Sequence, residues 1–271
     1  MIQPVRNGAD LQEALERVRR ASAGPVTNWF ATAERIDYWI GRDSLSMLQG
    51  GRAVLILRRG RGFYRVYHSA ADLEALSAAL RSSGGDLVSH GVLIADLIGR
   101  LLDVDPVAGI YRENGFADHN CLLRMLRMAA PAEVAEPEPD MAFARPADAG
   151  AVAAFLGRLL DPYTDQIPDE DEIREAASRR NIILVRRRES VQGLLLFETV
   201  GITAHLRYWY VDGDARNRRI GSGLIRRFFQ LSAGSKRFIL WVASGNSDAI
   251  AKYRHYGFQP DTLIDRIMIR R

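Results

Sequence analysis

The chain has one cysteine, Cys121, in 271 residues. A single thiol cannot close an intrachain disulfide or build a multi-cysteine zinc site, so neither device holds this protein together. Cys121 sits in the apolar, strand-like stretch His119-Asn120-Cys121-Leu122-Leu123 and reads as a buried packing thiol. The five histidines, at 68, 90, 119, 205 and 255, lack the spacing of metal ligands, so no metal is expected. No apolar run approaches the roughly 18 residues that a membrane span needs. The start, Met1-Ile2-Gln3-Pro4-Val5-Arg6-Asn7, leads into a charged helical stretch rather than an apolar signal core. The expectation is a cytoplasmic protein with no membrane partner.

What is present is ordinary for a soluble protein: 47% hydrophobic and 26% charged residues, in a length that suits about two domains of roughly 100 to 200 residues. A net charge of +4 and an isoelectric point near 9.4 permit anionic partners. The arginines, however, are dispersed rather than gathered on one helix. Their densest runs, at 58–62 and 186–190, each separate two apolar segments and read as solvated hairpin turns, which disfavours nucleic acid as a partner.

Proline and acidic residues concentrate in the stretch from 129 to 146, the composition of a linker, and place a boundary at 131–140 between domains 1–130 and 141–271. In the second half, residues 141–148 read as a strand, 149–160 and 169–180 as helices, 181–187 and 192–200 as a hairpin, and 202–211 as a third long strand. A basic, glycine-bearing turn runs into an amphipathic helix at 224–234. A buried strand at 237–243, a helix at 246–256 and a last strand at 263–271 complete a mixed α/β order with one open sheet. The first half offers helices at 9–21 and 33–40, a hairpin from 53–59 to 63–69, a helix at 71–83, a strand near 86–94, and a helix reaching Tyr111. The phrase Tyr111-Arg112-Glu113-Asn114-Gly115-Phe116 returns as Tyr253-Arg254-His255-Tyr256-Gly257-Phe258, at an offset of 142 residues. With the shared order of elements, this implies an internal duplication, heavily diverged.

The basic turn is the most informative stretch. A strand ending at Val211, a loop, and a helix opening near Gly221 bring free backbone N–H groups and a positive helix end to one point, a natural site for phosphate. Gly221 and Gly223 let backbone approach an anion closely, and Arg216, Arg218 and Arg219 add positive charge. Downstream, Asn246, Ala249, Ile250 and Tyr253 share one helical face, which Gly257-Phe258 brings to an end.

In this order and separation, the two stretches resemble the motifs of the GCN5-related N-acetyltransferase (GNAT) family over roughly residues 141–271. The family's Arg/Gln-x-x-Gly-x-Gly/Ala loop can be laid on Arg218 to Gly223, or, counted from Val211, on Arg216-Asn217-Arg218-Arg219-Ile220-Gly221, where Arg219 replaces the first glycine. The resemblance implies two tandem domains, each a mixed, mostly antiparallel sheet flanked by helices. It also implies acetyl-CoA or another acyl-CoA as cofactor and an amine-bearing small molecule or peptide as acceptor.

By the same resemblance, amides from Arg218 to Ser222 would hold the pyrophosphate and the backbone of Tyr210 and Val211 would pair with the pantetheine arm. Asn246 would help position the cofactor, and Tyr253 would protonate the departing thiolate. The family's strand glutamate, six residues before the terminal valine, corresponds to His205, the candidate general base, with Glu198 and Tyr208 as rivals. At the 142-residue offset the first half shows neither the glycines nor the basic cluster, so one working domain and one degenerate copy are expected. The rival reading is a non-catalytic acyl-CoA sensor or scaffold whose first half binds a partner protein.

Overall fold

The computed structural model describes residues 2–129, 141–187, 190–215 and 219–271. They form two compact units: Met1–Leu122 with Thr262–Arg271, and Leu123–Asp261. This differs from the division expected at 131–140, a segment outside the described residues. Each unit takes its closing strand from the other half of the sequence, an arrangement that no compositional break announces.

In chain order the first unit is built from β1 (Gln3–Pro4), α1 (Gly8–Arg20), β2 (Val26–Thr27), α2 (Ala33–Ile40), β3 (Leu45–Gln49), β4 (Ala53–Arg59), β5 (Tyr64–Ala70), α3 (Leu73–Ser82), α4 (Gly84–Val88), β6 (Leu93–Arg100), α5 (Leu101–Glu113) and the start of β7 (Ala117–Met128). The second runs through the end of β7, β8 (Met141–Phe143), α6 (Ala149–Leu159), α7 (Glu170–Ser178), β9 (Ile182–Arg187), β10 (Ser190–Val200), β11 (Thr203–Val211), α8 (Ile220–Leu231), β12 (Arg237–Ala243) and α9 (Ser247–His255). The last strand, β13 (Gln259–Arg270), pairs antiparallel with β6, Leu263 opposite Arg100 and Arg270 opposite Leu93, and from Thr262 onward belongs to the first unit.

The sheets are mixed. In the first, β3, β4 and β5 run antiparallel and β5 meets β6 in parallel; in the second, β8 to β11 run antiparallel and β11 meets β12 in parallel. Local chemistry sets the helices. Asn7 caps α1 by accepting from the Asp10 N–H at 2.8 Å, and Leu11, Ala14 and Val18 supply the buried face that packs under Trp39 and Ile56. Asp169 and Glu172 close α7 with a capping box. Residues 84–88, expected near a strand, are instead the short helix α4: Leu87 is buried, the Leu87 N–H reaches the Ser83 carbonyl at 2.8 Å, and Gly91, at φ 71°, turns the chain before β6. Cys121 is half-buried on β7 rather than sealed in the core.

The repeated phrase makes the same structure twice. Gly115 and Gly257 sit at φ 84° and 83°, and the N–H of Phe116 or Phe258 bonds to the carbonyl of Tyr111 or Tyr253 at 3.1 Å in each copy. This ends the helix with a left-handed glycine and drives the following phenylalanine into the core.

Candidate active site

The site begins at a bulge. Along the β10–β11 ladder Leu196 faces Tyr208 but Phe197 faces Leu206, which leaves Arg207 as an extra residue on β11. An extra residue flips every side chain beyond it to the other face. Ala204 and Leu206 accordingly pack on the α8 side, whereas Tyr208 and Tyr210 pack against the α6–α7 core and Trp209 and Val211 return to the α8 side. The parallel ladder between β11 and β12 ends at the same place, with Leu206 opposite Leu240. Beyond it β11 continues to Val211 and β12 to Ala243 with no further pairing between them among the described residues, so the strands diverge and leave a cleft.

The mouth of this cleft holds the first turn of α8. Ile220, Leu224, Ile225 and Phe228 bury one face and fix the helix against the sheet. Its N-cap is Arg219, at φ 57°, ψ 6°, and no side chain among the described residues caps the first turn. A left-handed backbone is free for glycine but costs other residues on the order of 1–2 kcal/mol. Arg219 therefore holds a backbone conformation that glycine would adopt without that cost. Arg216, Asn217 and Arg218 lie outside the described residues. Ser222 Oγ donates to the Arg219 carbonyl at 2.7 Å, and the Gly223 N–H reaches the same carbonyl at 3.0 Å, so both tighten the turn. A Cβ on Gly221 would point at Trp209 and Val211, 3.5 Å from each.

Across the cleft stands α9. Asn246 is its N-cap, accepting from the Ala249 N–H at 3.1 Å through Oδ1; its side chain is exposed and its Nδ2 has no partner among the described residues. Tyr253 packs against Trp209 and Phe258, with ring centroids 5.7 and 6.1 Å away. Burial pushes its hydroxyl up to about 12, so it stays protonated, and no hydrogen bond engages it among the described residues.

On the opposite face, at the foot of the bulge, His205 lies directly across the ladder from Glu198. Its Nδ1 is 3.3 Å from Glu198 Oε1, which also accepts from Arg207 Nη1 at 3.1 Å. The bond from His205, with the charge of Arg207 behind it, holds the Glu198 carboxyl down at about 2. Burial lowers His205 below its ordinary value, against the pull of Glu198. The imidazole is thus neutral near pH 7, with Nδ1–H donated to the carboxylate and Nε2 left as a base. The two rivals are committed elsewhere: Glu198 serves His205 and Arg207, and Tyr208 donates its hydroxyl to the Gln166 carbonyl at 2.7 Å. The Tyr210 hydroxyl is raised by burial and by nearby Asp165.

The structure therefore gathers Val211, Gly221 and Tyr253 around Trp209 and sets His205 on the other face of the same strand. Sequence reasoning did not single out Trp209, which reads as one more strand aromatic, and did not foresee the contact between Glu198 and His205. A signal for the pair exists: a two-residue turn at Gly201-Ile202 puts Glu198 opposite His205.

Residues 152–258 match the model of the acetyltransferase (GNAT) family. No protein of curated function matches the chain. Among solved structures, a GCN5-related N-acetyltransferase from Sphaerobacter thermophilus superposes with a TM-score of 0.65 at 13% identity, over 100% of this chain and 95% of that one. A tandem GNAT protein from the clavulanic acid biosynthesis pathway, in a structure without AcCoA, gives 0.60 at 14%, over 99% and 97%. A GNAT-family acetyltransferase from Colwellia psychrerythraea gives 0.58 at 12%, over 99% and 98%. The whole chain thus has the fold of a tandem GNAT protein, both units included.

Proposed function

We propose that this chain, whose residues 152–258 form a domain of the GNAT acetyltransferase family, moves an acyl group from acyl-CoA to the primary amine of a small molecule or peptide. The observation that carries the reading is the open β11–β12 edge with the uncapped first turn of α8 at its mouth. Free strand amides and carbonyls suit a pantetheine arm, and a turn of helix amides with Arg219 beside it suits a diphosphate. The residues present fit the group: the first-turn amides of α8 and the indole of Trp209 offer donors, and the ligand is rich in acceptors.

Backbone N–H groups of Ile220, Gly221 and Ser222 would hold the diphosphate, with Arg216, Asn217 and Arg218 completing the loop and Gly223 keeping the turn thin. Tyr210 and Val211 would align the pantetheine arm through their backbone, and the outward Nδ2 of Asn246 would steady it at the far wall. When bound, acyl-CoA supplies a thioester, acetyl or longer, already activated for attack. His205, oriented by Glu198, takes the proton from the acceptor nitrogen through Nε2, directly or by way of water. Tyr253, whose hydroxyl burial keeps protonated, would hold the proton that the leaving sulfur of the thioester needs. We place the reaction in the cytoplasm; no helix among the described residues is long and apolar enough to cross a membrane.

Calorimetric titration with acetyl-CoA, followed by a thiol-release assay over a panel of primary amines, tests the reading. One site per chain and amine-dependent thiol release are expected. Binding without turnover on any amine would point instead to an acyl-CoA sensor, and absence of binding would remove both.

A further inference from the structure

Trp209 has a polar atom that the fold does not use. Its indole Nε1 is buried and has no hydrogen-bond partner among the described residues. An indole N–H can only donate, and a buried donor without an acceptor is costly enough that native structures rarely keep one without a reason. The ring is held in place: Tyr253 and Tyr256 of α9 contact it at centroid distances of 5.7 and 5.6 Å. Its far edge faces α8. A Cβ built on Gly221 would lie 3.5 Å from Cζ2 and 3.8 Å from Nε1. The orphan N–H therefore lies beside the first turn of a helix whose N-terminus no side chain among the described residues caps. The neighbouring backbone groups there are amides, which are donors as well. A buried corner furnished with such donors is complementary to an acceptor oxygen.

We infer that Trp209 is a cofactor-positioning residue, its Nε1–H donating to an oxygen of acyl-CoA where the diphosphate meets the pantetheine arm. This rests on the reading of the cleft as the acyl-CoA site. It adds a buried indole donor to the helix amides, Arg219 and Asn246 already placed at the cleft. Because the same ring touches Tyr253, Trp209 also ties the seating of the cofactor to the placement of the proton donor.

The test uses the full chain and CoA itself, which binds without turnover. Trp209→Phe keeps a packing ring and removes the N–H. CoA affinity, read by calorimetry, should fall roughly 5- to 30-fold, the value of one hydrogen bond to a charged or carbonyl oxygen. Titration with ADP and with pantetheine separates the two oxygen sources: loss of affinity for ADP assigns the diphosphate, and loss for pantetheine assigns an amide carbonyl. Tryptophan emission of the wild type should change on CoA addition, and that change should vanish in Trp209→Phe although Trp29, Trp39 and Trp241 remain. Unaltered CoA affinity in a folded Trp209→Phe protein overturns the inference and leaves the acyl-CoA reading standing; a wild type that does not bind CoA overturns that reading itself. Should the variant fail to fold, the wild type decides. Its indole 15N–1H spectrum must show one solvent-protected signal moving downfield with CoA, and a spectrum in which no indole signal moves would refute the assignment.

Discussion

The two units carry the same cleft in opposite states. In the second, β11 and β12 diverge beyond Leu206 and nothing among the described residues bridges them. In the first, β5 and β6 diverge beyond Arg65 and Ile94, and the chain's own N-terminal segment fills the gap. β2 pairs with the end of β5, and Asn28, which follows it, stitches the edges together. Its Nδ2 donates to the Val66 carbonyl at 3.3 Å and to the Asp96 carbonyl at 2.9 Å, while its Oδ1 accepts from the His68 N–H at 2.6 Å. The helix that follows differs in the same sense. Asp72 caps α3 by accepting from the Ala75 N–H at 2.8 Å and is ion-paired with Arg52, so a carboxylate stands at the helix end where α8 is open. Tyr111, the counterpart of Tyr253, is wholly buried and shares a 3.0 Å hydrogen bond with His68. Burial holds His68 at about 3, hence neutral. Beneath them Arg65 and Asp96 form a buried ion pair. Wherever neighbouring strands separate, the backbone groups left unpaired must find other partners. The first unit answers with its own side chains; in the second, no such stitch is found among the described residues.

The largest expected difference separates the two tyrosines. Tyr253→Phe keeps the ring against Trp209 and removes the hydroxyl, so turnover should fall about 10²- to 10⁴-fold while the acyl-CoA dissociation constant moves little. Tyr111→Phe should leave turnover unchanged but strand a buried His68 nitrogen, costing roughly 1–3 kcal/mol of stability in denaturant titration. Steady-state kinetics and unfolding curves on the two variants read both effects. If Tyr111→Phe is the one that loses turnover, the working site belongs to the first unit and the comparison is inverted.

Most of the fold was legible in the sequence, because the elements that position the site have clean periodicities: β4, α2 and β12 begin and end where the apolar pattern does. The repeated phrase exposed the duplication because its glycine must sit at positive φ in both copies. The exchange of closing strands was not legible, since β7 and β13 have equivalent patterns and only tertiary pairing decides which sheet each joins. Nor was the plug. β2 has two residues, and a polar Asn28 among loop residues says nothing until the edges it bridges are known. At the α8 turn, Arg219 takes a left-handed backbone at φ 57° that the residue type does not announce.

Asn28 offers the next way to break the contrast. Asn28→Ala removes three side-chain hydrogen bonds and leaves the Val66 and Asp96 carbonyls and the His68 N–H in a dry interior. A loss on the order of 2–4 kcal/mol is expected, seen as a lower denaturation midpoint. CoA stoichiometry should nevertheless stay at one per chain, because the Asp72 carboxylate still occupies the end of α3. Two CoA sites in this variant would mean that the stitch alone keeps the first cleft shut.

The pH profile sharpens the account of the open unit. His205 is lowered chiefly by burial, so it remains a neutral base below the ordinary histidine value of about 6.5. The logarithm of kcat/KM should stay level through pH 6.5 and bend down only at lower pH, approaching about tenfold per pH unit as the imidazole takes up a proton. Glu198 pulls His205 upward, so Glu198→Gln should move that acid limb to still lower pH while reducing the plateau through loss of the oriented tautomer. His205→Gln should remove the limb. An acid limb unchanged in His205→Gln would give the base role to another group.

The smallest effect concerns Arg219. Arg219→Gly restores the residue type that its backbone conformation favours, relieving about 1 kcal/mol of left-handed strain while adding a comparable entropic cost in the unfolded chain. Stability should therefore change little. If the amides of Ile220, Gly221 and Ser222 carry the anion, the variant keeps them in place and gives up only one exposed positive charge. Such a charge contributes modestly in water and is screened by salt. CoA affinity should drop only about two- to fivefold at low ionic strength and converge on the wild-type value as salt is added. A loss of about tenfold or more that persists at high salt would show that the arginine side chain, not the helix turn, is the principal ligand, and the open N-terminus of α8 would cease to distinguish the second unit from the first.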